Sequence, residues 1–266
     1  MENKKLKIGI FGLGLIGGSI LKALYFTDKY YLIAVSKSSY KEAENFCDYA
    51  TDNINALSDA DVIFVCSKMK DTNDKLLELE SVAGPQTIVA DVSSIKGFLH
   101  NEYKFNFIQT HPMAGTEFSG FSASKADLFK GAKWIINRFD PVIIGIINDT
   151  GANPVVMDSV THDRYTAQIS HLPTLLSFAL FNSVEDDARK IASSGFRDMT
   201  RLALSNPDLA YDMLNFNRQN IEEAFIKLIN SMEEIKNLPE DEFKKLVYDI
   251  AQKRSKMYDE NGKNIF

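Results

Sequence analysis

The chain has 266 residues, 45% of them hydrophobic, with a formal net charge of −6 at neutral pH. That is ample apolar material for a folded core in one large or two ordinary domains, and the mixed, slightly acidic charge leaves no electrostatic footprint for nucleic acid or an anionic membrane. Two cysteines, Cys47 and Cys66, fit neither a disulfide framework nor a zinc cluster, and four histidines without metal-site spacing give no reason to expect a metal.

The first residues run directly into an apolar strand-like stretch, 6–12, without a signal core, and no apolar run approaches the ~20 residues that cross a bilayer. A cytoplasmic protein is expected. The stretch ends in Gly12-Leu-Gly14-Leu15-Ile16-Gly17 and opens a helical pattern. Glycines at this spacing let a strand turn sharply, a pyrophosphate approach the backbone and a helix pack close to the sheet, so Gly12, Gly14, Leu15, Ile16 and Gly17 are candidate dinucleotide contacts.

A second strand, 31–36, ends at Ser36-Lys37-Ser38-Ser39, about 20 residues on, where an NAD site would offer a carboxylate to the ribose 2′-hydroxyl. No carboxylate is there. Ser36, Lys37 and Ser38 suit a 2′-phosphate, which predicts NADP in preference to NAD, with Lys37 as an ordinary surface lysine the alternative.

Further strands are expected at 62–67, 87–92, 106–110, 133–137 and 154–157, alternating with helical patterns. Their nearly continuous apolar character predicts a parallel-dominated sheet covered on both faces. After residue 158 helices take over, at about 161–184, 207–236 and 239–258. Ile169, Leu172, Leu176, Leu180 and Val184, thickened by Phe178 and Phe181, mark a buried helix face shared with a second copy of the chain. The predicted architecture is α/β, a Rossmann-like doubly wound sheet over 1–158 followed by an all-α dimerisation domain over 159–266. The last eight residues read as a fraying tail.

Four stretches carry chemistry beyond the glycine turn. Asp91-Val-Ser-Ser94-Ile-Lys96-Gly97 lies at the carboxyl end of a strand, where α/β sheets bind ligands. Thr110-His111-Pro-Met-Ala-Gly115 places one histidine on a glycine-bearing loop after a strand, a candidate proton acceptor. The third opens the long helix with Thr161-His162-Asp163-Arg164 and continues through Gln168-Ile-Ser-His171-Leu-Pro173-Thr174. At about 100° per residue Gln168, His171 and Thr174 share a face with Arg164, while His162 lies nearly opposite His171. Ser194-Gly-Phe-Arg197-Asp198-Met-Thr-Arg201 follows. Plainer roles exist for each: Ser94 as a helix cap, His171 as a satisfied core histidine, Thr161 and Asp163 as a helix start, Arg201 as a surface partner of Asp198.

Taken together and in this order, these segments resemble the prephenate and arogenate dehydrogenases of tyrosine biosynthesis, over nearly the whole chain to about Asn220. His-Pro-Met-Ala-Gly, Ile-Ser-His-Leu-Pro and Gly-Phe-Arg-Asp-Met-Thr-Arg are the most specific elements. The resemblance implies NAD(P)-dependent oxidation of a cyclohexadienol with loss of its ring carboxylate, giving 4-hydroxyphenylpyruvate or tyrosine. It implies His111 as the catalytic acceptor of the hydroxyl proton, Ser94 as its hydrogen-bonding companion and Arg201 as the substrate anchor. Gln168, His171 and Thr174, on their shared helix face, complete the candidate substrate-binding set.

The chain departs from the family pattern at Thr174, where many members have another histidine, and at Cys66-Ser67-Lys68, where a small residue and proline are usual. Thr174 and the Ser36-Lys37 pair lean the reading toward an NADP-using arogenate enzyme, with prephenate kept beside it. The rival readings are a β-hydroxyacid dehydrogenase or pyrroline-carboxylate reductase of similar layout and a non-catalytic NADP-binding module; neither needs His111 followed by Pro-Met-Ala-Gly.

Overall fold

The structure, a computed structural model, describes residues 5–116 and 118–258. Glu117 and the tail expected to fray lie outside the described residues. Six strands, β1 (Leu6–Phe11), β2 (Tyr30–Val35), β3 (Tyr49–Thr51), β4 (Val62–Val65), β5 (Ile88–Asp91) and β6 (Asn106–Ile108), form a parallel sheet in the order β3-β2-β1-β4-β5-β6. The order reverses between β1 and β4, which makes the crevice at their carboxyl ends the place where such sheets bind ligands. Helices α1 (Leu15–Tyr25), α2 (Tyr40–Ala43) and α3 (Thr72–Leu79) connect these strands.

Alternation along β4 shows why the strands are apolar throughout. Val62 and Phe64 join one core with Ile8, Ile10, Ile20 and Trp134, while Ile63 and Val65 join another with Ile33, Leu76, Leu79 and Val89. Both faces are buried, so neither set of alternate positions can be polar.

A second sheet, not anticipated as separate, comprises β7 (Thr110–Pro112), β8 (Lys133–Ile136) and β9 (Asn153–Val156), with α4 (Pro141–Asp149) between the last two. Strand β7 runs antiparallel to β8, placing His111 opposite Ile135, and β8 runs parallel to β9. The expected strand 106–110 is thus two short strands that belong to different sheets.

The expected helix at 161–184 is three segments: α5 (Ser159–Thr166), one turn of π-helix at Ala167–His171, and α6 (Leu172–Ser183). Pro173 supplies the cause, because it has no N–H to return to the turn before it and its ring crowds that turn. Helices α7 (Asp186–Arg189), α8 (Ser194–Met199) and α9 (Pro207–Phe216) follow, then α10 (Arg218–Lys236) and α11 (Glu240–Ser255). The expected helix 207–236 breaks at Asn217, whose side chain is drawn into the site described below.

Among the described residues, those up to Ile221 form one compact unit and those from Glu222 a second. The division falls later than the change from strands to helices at 158, because Asp163 is hydrogen-bonded to the loop after β5 and His162 to His111. Over residues 222–258 the second unit is helical and keeps apolar side chains in the open: Phe225, Ile229 and Met232 on α10, and Phe243, Val247 and Ile250 on α11. Among the described residues no helix is long and apolar enough to cross a membrane.

Candidate functional site

The glycine turn begins where β1 ends. Gly12 has φ +102°, a conformation glycine adopts without penalty, and its N–H donates to the Val35 carbonyl at 2.9 Å. A Cβ at Gly17 would stand 2.0 Å from the Gly12 carbonyl oxygen, so only glycine lets α1 pack this close to the turn. At Gly14 a Cβ would meet nothing within 4 Å. The open space lies at the N-terminus of α1, which has no side-chain cap and no acidic residue in its first turn. Free amides and a positive helix end are what a pyrophosphate requires, so Gly12, Gly14, Leu15, Ile16 and Gly17 fit a dinucleotide.

Beyond β2, the Ser36 hydroxyl accepts the Ser39 N–H at 3.2 Å and shapes the turn over 36–39. Lys37 and Ser38 are exposed, and Lys37 forms no ion pair among the described residues. Lys68, on the loop after β4, pairs instead with Asp208 at 3.4 Å.

A buried polar cluster is built where β5 ends and β7 begins. The Asp91 carboxylate accepts from the Ser93 N–H at 2.8 Å, the Thr110 N–H at 3.1 Å and the Lys96 ammonium at 2.6 Å. The same ammonium donates to the Thr110 carbonyl at 2.5 Å, and the indole of Trp134 donates to the Thr110 hydroxyl at 3.0 Å. Three of these contacts fix Thr110, the residue immediately before His111. Lys96 is buried, and desolvation lowers its pKa from 10.5 while Asp91 opposes that shift.

His111 is brought to α5 by a 2.9 Å contact between its Nδ1 and His162 Nε2. His162 Nδ1 lies 2.7 Å from Asp163 Oδ1. The Asp163 carboxylate also accepts the Gly97 N–H at 2.6 Å and the Lys96 N–H at 2.9 Å, which ties α5 to the loop after β5. Asn217 Nδ2 donates to the Asp163 carbonyl at 2.8 Å and stands 3.2 Å from His171 Nδ1.

His162 and His171 therefore belong to one cluster, against the expectation that they lie on opposite faces. The π-turn between them takes more residues per revolution than the α-helix assumed for that projection. Burial holds the His111 pKa well below 6.5, and His162, Lys96 and His171 push it the same way. Burial brings His171 down to about 4, with Asp163 opposing and His162 adding. Both rings are neutral near neutral pH, the state a proton acceptor needs.

No helix begins at Ser94, so it is not a cap; its hydroxyl oxygen is buried without a hydrogen-bond partner. Such a group needs a partner from somewhere. Thr174 is buried, with its hydroxyl donating to the Ser170 carbonyl at 3.0 Å. Gln168 is exposed and donates to the Arg164 carbonyl, outside the cluster. Arg201 is exposed on a short turn, Arg201–Leu204, that packs against α6, and Asp198 pairs with Arg197 instead.

Asp91, Lys96 and Asn217 were not singled out individually from the sequence. An aspartate ending an apolar strand with a lysine five residues on was the available signal, since charges beside a buried strand need partners. Nothing local in the sequence points to Asn217.

Two family models match the chain: one described as prephenate dehydrogenase, nucleotide-binding domain, over residues 18–138, and one as prephenate dehydrogenase, dimerization domain, over residues 158–249. The first match starts after Gly17, so the glycine turn stands on its own geometry. A prephenate dehydrogenase of Bacillus subtilis is 28% identical over 91% of this chain and 72% of its own length. The crystal structure of Synechocystis arogenate dehydrogenase superposes with a TM-score of 0.83 at 28% identity, covering 94% of this chain and 99% of that one. The prephenate dehydrogenase of Aquifex aeolicus, solved with hydroxyphenyl propionate and NAD+, gives 0.84 at 25% identity, covering 96% and 99%.

Proposed function

Because the chain belongs to the prephenate/arogenate dehydrogenase family and is an NAD(P)-binding oxidoreductase of that type, we propose that it oxidises and decarboxylates arogenate or prephenate, with His111 as the acceptor of the ring hydroxyl proton. The observation that carries this reading is a neutral, partly exposed imidazole at 111, anchored by His162 of α5 and carried on the short strand β7 beside the glycine turn's sheet.

When bound, NAD(P) supplies the hydride acceptor. His111 takes the hydroxyl proton as the carbinol carbon loses hydride. The electrons of the bond to the ring carboxylate then run through the ring onto that oxygen, carbon dioxide leaves, and His111 returns the proton to the new phenol. Atoms and charge balance without a further acid or base. Ser94, whose buried hydroxyl lacks a protein partner, is suited to hydrogen-bond the same oxygen. Arg201, exposed and without an ion pair among the described residues, is suited to anchor a substrate carboxylate through its guanidinium fork.

Ser36, Lys37 and Ser38 favour NADP over NAD, and Thr174, whose hydroxyl is spent inside its helix, leaves arogenate as the preferred substrate with prephenate beside it. The working form is a homodimer. The dimerization-domain match and the open apolar positions on α10 and α11, recurring at helical spacing, both support it.

The deciding experiment incubates purified protein with arogenate or prephenate and either nicotinamide cofactor while following reduced-nicotinamide absorbance. Turnover of at least one pair is expected; no turnover of either substrate with either cofactor overturns the reading.

A further inference from the structure

Resting on that reading, we propose that His162 and Asp163 are positioning residues that hold His111 in the tautomer protonated at Nδ1, so that its Nε2 is the bare, accepting nitrogen. The inference follows from counting donors and acceptors along three side chains. A carboxylate only accepts, so the 2.7 Å contact between Asp163 Oδ1 and His162 Nδ1 places a proton on that nitrogen. In a neutral imidazole the other nitrogen is then bare, and His162 Nε2 must accept across its 2.9 Å contact with His111. The donor in that contact is His111 Nδ1–H. One nitrogen of His111 remains unspent, and it carries a lone pair.

The orientation of the whole chain is set at Asp163. Its oxygens are held by the N–H groups of Lys96 and Gly97, so the carboxylate cannot turn to serve a different partner without abandoning buried donors. The charges facing His111 are the ammonium of Lys96 from the loop after β5, the rings of His162 on α5 and His171 on the π-turn, and, through their partners, Asp91 and Asp163. The competing arrangement is a doubly protonated His162, which would donate to both neighbours and leave His111 with its proton on Nε2, unable to accept. Only this arrangement puts protons on both nitrogens of His162, which histidine 15N spectra distinguish from the proposed one.

Asp163→Asn is the discriminating perturbation. With its oxygen kept toward the Lys96 and Gly97 amides, an asparagine turns its NH2 toward His162 Nδ1. His162 must then carry its proton on Nε2 and donate to His111 Nδ1, and His111 in turn presents Nε2–H to the substrate. The contacts of His162 with residue 163 and with His111 survive with their polarity reversed, while the Lys96 N–H keeps its 3.1 Å bond to the remaining oxygen and loses the 2.9 Å one. Where an aspartate sets a catalytic histidine's tautomer in this manner, the Asn variant loses a factor on the order of 10⁴ in kcat with its geometry intact.

The test uses the full-length 15N-labelled protein and long-range 1H–15N spectra of its histidine rings near pH 7.5, where four histidines keep assignment simple. Expected in the parent are His111 and His162 each protonated at Nδ1 alone, and in Asp163→Asn each protonated at Nε2 alone. The variant's kcat should fall by roughly 100- to 10,000-fold with KM within about threefold, a split that a general loosening of the fold would not produce. A parent spectrum showing His111 protonated at Nε2, or His162 protonated at both nitrogens, overturns the proposal, and so does a folded variant with inverted tautomers and unchanged kcat. The parent spectrum needs no substrate, so it decides the proton order even if neither arogenate nor prephenate is turned over, the outcome that defeats the functional reading by itself.

Discussion

Alanine at Gly14 and alanine at Gly17 should damage different things. At Gly17 the new Cβ would sit 2.0 Å from the Gly12 carbonyl oxygen and 2.9 Å from the Cys66 Cβ, where ordinary contacts begin at 3.4 Å. Neither neighbour is a flexible chain end, so α1 must move away from the end of β1. Overpacking of that kind costs about 1–3 kcal/mol, and more where backbone has to yield. At Gly14 the Cβ meets nothing within 4 Å, and φ of −80° is one that alanine adopts freely. There the fold should be unchanged or gain about 0.4–1 kcal/mol from the stiffer unfolded chain. On the proposed reading, what the Gly14 methyl would meet is the cofactor. A pyrophosphate held by the first amides of α1 would be pushed off its charge-assisted bonds, raising the dissociation constant about tenfold or more, equivalent to about 1.4 kcal/mol. Urea unfolding without nucleotide measures the first quantity, and titration of reduced-nicotinamide fluorescence measures the second. A Gly14→Ala protein that binds both NAD and NADP like the parent would show that the phosphates do not pass over Gly14, and a Gly17→Ala protein of parental stability would refute the packing argument.

Other expectations follow from the same geometry. His111→Ala should lower kcat by roughly 100- to 10,000-fold with little change in cofactor affinity, and a loss below about threefold would remove it from the proton-accepting role. Arg201→Ala should act mainly on KM, raising it about tenfold or more, because a carboxylate anchor is already engaged in the ground state; an unchanged KM in steady-state assays means that another group holds the substrate. Lys37→Ala should shift the ratio of kcat/KM for NADP over NAD toward NAD by about tenfold, and a parent that uses NAD equally well or better contradicts the preference. Because the His171 pKa is depressed to about 4, the stability that its neutral ring contributes is complete above about pH 6.5 and declines as pH falls toward 4. That contribution should fall by about 2 kcal/mol between about pH 7.5 and pH 5, so urea midpoints should drop further on acidification in the parent than in His171→Gln; parallel curves would place the buried imidazole elsewhere.

Much of this molecule was legible because its signals are local. The apolar runs gave the wound sheet, since a strand covered on both faces has no polar positions to alternate with, and the glycine turn carries its own reason at Gly12 and Gly17. The second sheet was not legible. Whether 106–112 is one strand or two depends on Asp91 and Trp134 gripping Thr110, contacts made across 19 and 24 residues of sequence. The projection that set His162 against His171 failed for a local reason that could have been weighed, Pro173, which forbids a regular α-helix through that turn. Asn217 was out of reach, because its role is to break a helix pattern and bridge Asp163 and His171 from 54 and 46 residues away.

The polar cluster asks for a base that is held neutral by its surroundings and is therefore weak. Burial and the Lys96 cation both oppose an imidazolium at 111. A strong base is not what the proposed reaction needs. An ordinary alcohol is far too weak an acid for any histidine, but as hydride leaves the carbinol carbon, its oxygen moves toward that of a protonated ketone and gives up the proton readily. The acceptor must then be in place, unprotonated and correctly turned at that moment, rather than strongly basic beforehand. In the proposed cycle the imidazolium so formed is short-lived, since aromatisation delivers a phenolate-like oxygen to the same site and the proton goes back. Lys96 has the further consequence of making that return favourable. A cation buried beside a base lowers the base's affinity for protons in both directions of the cycle, which costs a little on the outward transfer and speeds the restoration of a neutral His111. The energetic burden falls instead on burying Lys96 and Asp91 together, a pair whose desolvation is offset by the Ser93 and Thr110 N–H groups and the Thr110 carbonyl, and which holds in place the residue preceding His111.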